Sequence, residues 1–170
     1  MKLKELLKEI YDIEFTGSVY DREISSICSD SRIAQKGSLF VALKGSMFHG
    51  FDFIDQAIER GSTVIVANPN FIKERGSHNG VVFLNVKDPR KFLRQVIRRF
   101  YQNPSDKVKT VGITGTNGKT TITYLIEAIL NEAGKNCGVM GSINYRVGNR
   151  VTTSRRTTSD IVENHQFLLI

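Results

Sequence analysis

Short apolar runs alternate with amphipathic stretches along the chain, and this alternation predicts an α/β fold. The apolar runs are rich in β-branched and aromatic residues, which favours buried strands at residues 24–28, 39–43, 63–67 and 81–84. Apolar positions three or four residues apart predict helices at residues 1–10, 53–60 and 88–101. The first hundred residues are therefore predicted to form a small α/β domain.

A second α/β pattern begins after residues 103–105, where Asn-Pro-Ser interrupts the apolar periodicity. Residues 108–113 predict a strand that runs into a glycine-rich turn. The turn is followed by a predicted helix that stops near Gly134. Its helically spaced apolar residues are Ile122, Leu125, Ile126, Ile129 and Leu130. We therefore predict two domains, at residues 1–104 and 105–170.

The second domain is predicted to be incomplete. Beyond its helix the sequence favours a strand near residues 137–140 and a hairpin over residues 145–152 that turns at Gly148-Asn149. Open parallel sheets need further strand–helix units to cover both faces. The apolar residues 167–170, predicted to be helical, would leave apolar surface exposed unless another segment covers it. We therefore expect the chain to be a fragment of a longer protein.

The net charge of +7 is concentrated in the predicted helix at residues 88–101. Its basic residues lie mostly opposite its apolar face, which favours a solvated surface helix over a nucleic-acid-binding stripe. The chain has no RNA-binding signature or helix-turn-helix pattern, so we predict no nucleic-acid partner. No apolar run approaches the roughly 20 residues that cross a membrane, so we predict no membrane partner. The basic residues are Arg90, Lys91, Arg94, Arg98 and Arg99.

The two cysteines, Cys28 and Cys137, lie in apolar runs far apart in the sequence. Neither has other metal-ligating residues beside it, so we predict free, buried thiols. Free thiols are typical of a reducing compartment, and the N-terminus lacks the apolar core of a secretion signal. The predicted location is therefore the cytoplasm.

The segment Gly112-Ile-Thr-Gly-Thr-Asn-Gly-Lys-Thr-Thr121 has the composition of a phosphate-binding loop. Its glycines allow a tight turn, and the helix that follows presents unpaired N–H groups and a positive dipole end. Lys119 could reach the β- and γ-phosphates of a nucleotide, and the Thr120 hydroxyl could ligate Mg²⁺. The glycine spacing departs by one residue from the strict Walker pattern. The alternative is a strand–helix turn with no ligand, which has no need of a Lys-Thr pair.

This loop resembles the ATP-binding loop of the Mur ligases and their folylpolyglutamate synthetase relatives. Residues 29–32, 36–45 and 49–54 resemble the uridine-nucleotide-binding domain of the MurE and MurF ligases, and the threonine at position 116 favours MurE. The segments 138–142 and 157–158 also resemble MurE. The resemblance implies a small N-terminal α/β UDP-binding domain followed by the truncated start of a P-loop Mur ligase central domain.

The resemblance implies an ATP- and Mg²⁺-dependent ligase of peptidoglycan synthesis, which joins a diamino acid to UDP-MurNAc-L-Ala-D-Glu through an acyl phosphate. Lys119 is the implied catalytic residue, and Thr120 the implied Mg²⁺ ligand. Ser31 would contact the UDP-sugar, with Thr157 and Thr158 at the muramoyl peptide. The implied nucleotide-binding residues are Gly115, Thr116, Asn117, Gly118, Lys119, Thr120 and Thr121.

The chain departs from the MurE pattern at two positions, and several functions remain as alternatives. Arg156 stands where asparagine is usual, and Ser159 where proline is common. Because the amine-binding domain is missing, we expect the chain to be inactive alone, and the identity of the diamino acid stays open. The predicted oligomeric state is a monomer. The alternatives are a non-catalytic protein that binds UDP-muramoyl peptide or nucleotide, and a MurF-type fragment. A GTPase is disfavoured because no Asn-Lys-x-Asp motif is present, and taken alone residues 29–32 would be a polar turn.

Overall fold

The first of two units is built on a five-stranded sheet. The computed structural model describes residues 1–16, 21–45, 49–69, 80–154 and 160–169. It divides into Met1–Asn103 and Pro104–Ile170, next to the predicted boundary at residue 104. The strands of the first unit are β1 (Ile13–Thr16), β2 (Ser26–Cys28), β3 (Ser38–Val41), β4 (Val64–Ala67) and β5 (Val82–Val86).

The sheet has the order β1-β5-β4-β3-β2. Strands β2 to β5 run parallel, whereas β1 pairs antiparallel with β5 at the edge. Every residue of β3 and β4 is buried, as expected where helices cover a parallel sheet. The four predicted strands are confirmed within a few residues. Strand β1 was not predicted, because its polar alternation and half-exposed Phe15 give a weak apolar signal.

The helices of the first unit are α1 (Leu3–Leu6), α2 (Ile54–Glu59) and α3 (Pro89–Phe100). The prediction for residues 53–60 is confirmed, with a 3₁₀ turn at Gly50–Phe53 leading into α2. The N-terminal helix is much shorter than predicted. It ends because Glu9 adopts a φ of 61°, in the left-handed region that a helix does not allow.

Helix α3 confirms its prediction almost to the residue. Asp88 caps its start by accepting a 2.9 Å hydrogen bond from the Lys91 N–H, and Pro89 occupies the first turn. Its apolar face is buried, and four of its five basic residues are exposed. The exception is Arg99, which donates to the carbonyls of Leu6 and Lys8. The helix is thereby joined to the N-terminal segment.

The environments of the two thiols differ. Cys28 is buried in the core cluster, whereas Cys137 is only half-buried, which corrects the prediction that both are buried. Burial raises the pKa of the Cys28 thiol to about 12; the charge of Asp30 adds to this rise, and a hydrogen bond with Ser38 opposes it.

We expect the two thiols to react at different rates with a disulfide reagent at pH 8. With a pKa of about 12, roughly one Cys28 in ten thousand is a thiolate at that pH, and burial hinders access as well. Stopped-flow absorbance should show one thiol that reacts fast in the native chain and is absent from Cys137→Ser. The second thiol should react only in denaturant. Fast labelling of Cys28 in native Cys137→Ser would contradict its burial.

The second unit contains helix α4 (Lys119–Glu132), a three-stranded antiparallel sheet and helix α5 (Ile161–Phe167). The strands are β6 (Gly138–Met140), β7 (Asn144–Val147) and β8 (Arg150–Thr153), in the order β6-β7-β8. The predicted helix, its stop at Gly134, the strand and the hairpin turning at residues 148–149 are all confirmed. The mixed α/β prediction thus holds for the chain.

The predicted strand at residues 108–113 is wrong. The described residues of this segment form no strand, and Val111 is largely exposed. A β-branched run forms a strand only when its backbone N–H and C=O groups can hydrogen-bond to a neighbouring strand. Within the described residues, strands β6, β7 and β8 pair with one another and do not supply that neighbour.

One face of α4 remains uncovered within the described residues. Ile122, Leu125 and Ile129 are 46%, 58% and 67% exposed, at positions that share one helical face. The expectation of exposed apolar surface concerned residues 167–170, where Leu169 is 55% exposed. Among the described residues, no helix is long and apolar enough to span a membrane.

Candidate functional site

The glycine-rich loop before α4 has the backbone that a phosphate-binding turn requires. Gly115 has a φ of 151° and Gly118 a φ of 75°, conformations that side-chain-bearing residues rarely adopt. Gly118 is also the N-cap of α4, and no side chain caps the helix there. The first N–H groups of α4 therefore remain available to an anion at its positive end.

Lys119 lies back over this loop. Its Nζ donates a 2.6 Å hydrogen bond to the Gly115 carbonyl and a 3.2 Å bond to the Thr116 carbonyl. The ammonium group is thus held next to the backbone N–H groups that would surround a phosphate. Loop and helix start are brought together as the sequence predicts.

The other predicted loop residues surround this centre. Thr116 and Asn117 are exposed in the turn, Thr120 is half-buried in the first turn of α4, and Thr121 is exposed. Among the described residues, no group of three or more His, Cys, Asp or Glu side chains could hold a metal ion. A hard cation at this loop would therefore depend on the Thr120 hydroxyl together with oxygen atoms of the bound ligand and water.

A polar cluster missed by the sequence analysis holds α4 against β7. The buried Glu127 carboxylate accepts a hydrogen bond from Arg146, and this raises the pKa of the arginine above its ordinary value. The Arg146 guanidinium also lies 4.9 Å from the centre of the Tyr124 ring, whose hydroxyl donates a 2.9 Å bond to Asn144. No sequence pattern marked this cluster, because the helical neighbours of Glu127 include the polar residues Thr123 and Asn131.

In the first unit, the polar turn at residues 29–32 is built around an ion pair. Asp30 accepts from the N–H of Arg32 at 3.0 Å and binds its guanidinium through both carboxylate oxygens, which raises the pKa of Arg32. This pair stabilises the 3₁₀ turn Ser31–Ile33 that follows β2.

Ser31 itself is buried, and its hydroxyl donates a 2.5 Å hydrogen bond to Gln56 Oε1. Gln56 lies on α2, 25 residues away, and was not identified from the sequence. The predicted substrate residue is thus oriented by a neighbouring helix. Thr157 and Thr158, together with Arg156 and Ser159, lie outside the described residues.

Two family models match the chain. One, described as the catalytic domain of the Mur ligase family, matches residues 23–101. The other, described as the Mur ligase middle domain, matches residues 113–170 and includes the glycine-rich loop and α4.

Similar proteins carry related names. The UDP-N-acetylmuramoyl-L-alanyl-D-glutamate--2,6-diaminopimelate ligase of Clostridium tetani is 41% identical over 166 residues, which are 98% of this chain and 34% of that protein. A solved structure of a ligase with the same name is 25% identical, with a TM-score of 0.68, and the match covers 99% of this chain and 32% of that one.

A second kind of ligase is structurally similar over a smaller part of the chain. The UDP-N-acetylmuramoylalanyl-D-glutamyl-2,6-diaminopimelate--D-alanyl-D-alanyl ligase of Acinetobacter baumannii is 27% identical with a TM-score of 0.56. That match covers 77% of this chain and 28% of the other. The chain spans about a third of the length of the curated relatives it matches.

Proposed function

The chain belongs to the Mur ligase family, and on this premise we propose that it carries the nucleotide-substrate and phosphate-loop parts of a peptidoglycan ligase. The proposed reaction joins a diamino acid to UDP-N-acetylmuramoyl-L-alanyl-D-glutamate. The observation that carries this proposal is the uncapped start of α4 with Lys119 folded over the glycine-rich loop.

The loop would bind the phosphates of ATP, which supplies the phosphoryl group that activates the D-glutamate carboxylate as an acyl phosphate. The N–H groups from Gly115 to Thr120 would surround the negatively charged oxygens, and Lys119 would leave its carbonyl partners to contact them. Charge that develops on the transferring group is stabilised by donors already in place. The role of Lys119 is therefore electrostatic.

Thr120 is the residue proposed to ligate Mg²⁺. Its half-buried hydroxyl, in the first turn of α4, is a hard oxygen ligand of the kind that Mg²⁺ prefers. Thr121, exposed on the same turn, would support the loop. Glu127 and Arg146 would keep α4 in position while the loop binds its ligand.

Ser31 is proposed to contact the UDP-sugar, with Gln56 setting the direction of its hydroxyl. Binding would require the serine O–H to turn from Gln56 towards the ligand, or its oxygen to accept a hydrogen bond while still donating to Gln56. Thr157 and Thr158 remain proposed contacts of the muramoyl peptide.

Calorimetric titration of the chain with UDP-MurNAc-L-Ala-D-Glu tests the substrate proposal. We expect saturable binding that Ser31→Ala weakens roughly fivefold, because about 1 kcal/mol is typical of one hydrogen bond. Ser105→Ala, a half-buried serine in the other unit, should bind as the unchanged chain does. A folded chain that gives no heat would exclude the proposal.

Two alternatives remain distinguishable. A protein that binds UDP-muramoyl peptide without catalysis would give the same titration and no amide, and we expect no product from these 170 residues alone. Amide formation with MgATP and diaminopimelate would contradict that expectation. The MurF-type alternative is less well supported, since its structural matches cover 77% to 86% of the chain rather than 99%.

The remaining proposals concern the location of the protein, its oligomeric state and its amino-acid substrate. We place the activity in the cytoplasm because Cys28 and Cys137 are both free thiols. We propose a monomer, with diaminopimelate as the diamino acid because relatives with that name are 40% and 41% identical to the chain.

A further inference from the structure

A basic groove lies in the first unit between α3 and the segment that follows α1. Its volume is about 370 Å³. We define the basic groove by Lys91, Arg94 and Arg98 on the helix, together with Glu9 and Asn103, which also line it. None of these residues belongs to the glycine-rich loop or to the turn that holds Ser31.

The three cations lie on one stripe of α3. Their spacing of three and four residues places them on the same helical face, away from the buried residues at positions 92, 93, 96 and 97. In the part of the chain that the structure describes, the Lys91 and Arg94 side chains form no hydrogen bond or ion pair. Both are exposed, so two positive charges face the groove without a protein acceptor.

A hydrogen bond and an ion pair involve four of the residues that line the groove. Arg98 Nε donates a 3.1 Å hydrogen bond to Asn103 Oδ1, so these two lining residues hold each other. Glu9 is the single acidic group among the described lining residues, and it lies 3.8 Å from Arg99. Because Arg99 offsets the charge of Glu9, the charges of Lys91 and Arg94 leave the lining net positive.

Glu9 and Asn103 also share an uncommon backbone conformation. Their φ angles are 61° and 49°, in the left-handed region that costs a non-glycine residue free energy. The backbone therefore turns at both residues and does not continue as extended chain beside the helix.

We propose that the basic groove binds a compact, multiply charged phosphate compound, such as an oligophosphate or a phosphate ester. Its volume lies within the range of small-molecule pockets, which begins near 300 Å³. Arginine side chains present paired N–H donors that match phosphate oxygens. A nucleic acid or a membrane would need a longer charged surface than this groove, which is lined by three cations on one helix. The groove is independent of the ligase proposal.

Calorimetric titration of the 170-residue chain with inorganic diphosphate, without Mg²⁺, tests this site. The chain should carry Lys119→Ala, so that the phosphate loop contributes little to the heat. We expect saturable binding that Lys91→Gln/Arg94→Gln weakens roughly tenfold or more, because two charge-assisted contacts are lost. Binding should also weaken as NaCl is raised, because exposed charges are screened.

A matched variant separates the groove from net charge. Lys135→Gln/Arg150→Gln removes two exposed cations from the other unit and should leave the diphosphate affinity unchanged. Equal losses in the two double variants would overturn the proposal, as would a folded chain that gives no heat with diphosphate. Binding only to vesicles that contain phosphatidylglycerol, or only to single-stranded DNA, would also overturn it and would indicate a macromolecular partner.

Discussion

Replacing Lys119 with alanine is expected to lower the affinity of the chain for MgATP by roughly 30- to 150-fold. The ammonium group now lies 2.6 Å from the Gly115 carbonyl, so a small side-chain movement brings it to a phosphate held by the loop. Its loss removes one charge-assisted interaction, which is typically about 2 to 3 kcal/mol. A fluorescent ATP analogue, titrated into the chain with competition by ATP, measures the change.

The reference variant is Lys135→Ala, which removes an exposed lysine beyond the other end of α4. It should leave the affinity within about twofold, because an exposed charge more than a Debye length away is screened. Thermal unfolding should be nearly unchanged in both variants, since the side chain of Lys119 contacts only loop carbonyls among the described residues. If the two variants bind MgATP equally well, Lys119 is not a phosphate ligand.

Local patterns were enough to predict most elements of the chain. Strand β4 is a continuous β-branched run, and α3 carries both its cap Asp88 and a complete apolar face. The turn between β7 and β8 contains Gly148 followed by asparagine. In each case the residues that specify the element are within a few positions of one another, so no distant partner had to be known.

The failures concern elements that depend on partners far away in the sequence. Strand β1 forms because β5, some 70 residues later, offers it a free edge. The run at residues 108–113 has equal or greater β-branched content but finds no such edge among the described strands. Strand propensity therefore decided neither case, and hydrogen-bond partners decided both.

The candidate site shows the same difference between features set by neighbouring residues and features set by distant ones. The glycine-rich loop and Lys119 could be predicted because their chemistry lies in ten consecutive residues. The bond from Ser31 to Gln56 spans 25 positions, and the pair of Arg146 with Glu127 spans 19. The sequence therefore identifies the groups that would touch a ligand, whereas the residues that hold them in position emerge only from the fold.

Gly50 is the position where the fold of the first unit leaves least room. A Cβ atom there would lie 2.6 Å from the Leu43 nitrogen and 2.7 Å from the Leu43 oxygen. Both are backbone atoms of the chain leaving β3, and the same oxygen accepts a 2.8 Å hydrogen bond from the Gly50 N–H. Relief would move the 3₁₀ turn that places Phe51 and Ile54 in the core.

Gly50→Ala is therefore expected to lower the free energy of unfolding of the first unit by about 3 kcal/mol, at the upper end of overpacking effects. Chemical denaturation followed by circular dichroism measures this change. Gly80→Ala is the control, because a new Cβ there would meet no atom within 4 Å, although the φ of Gly80 is 82°. It should cost only about 1 kcal/mol, from the left-handed conformation alone. Equal losses in the two variants would mean that the Leu43 backbone yields to a methyl group, and that the approach of the two segments does not fix the turn before α2.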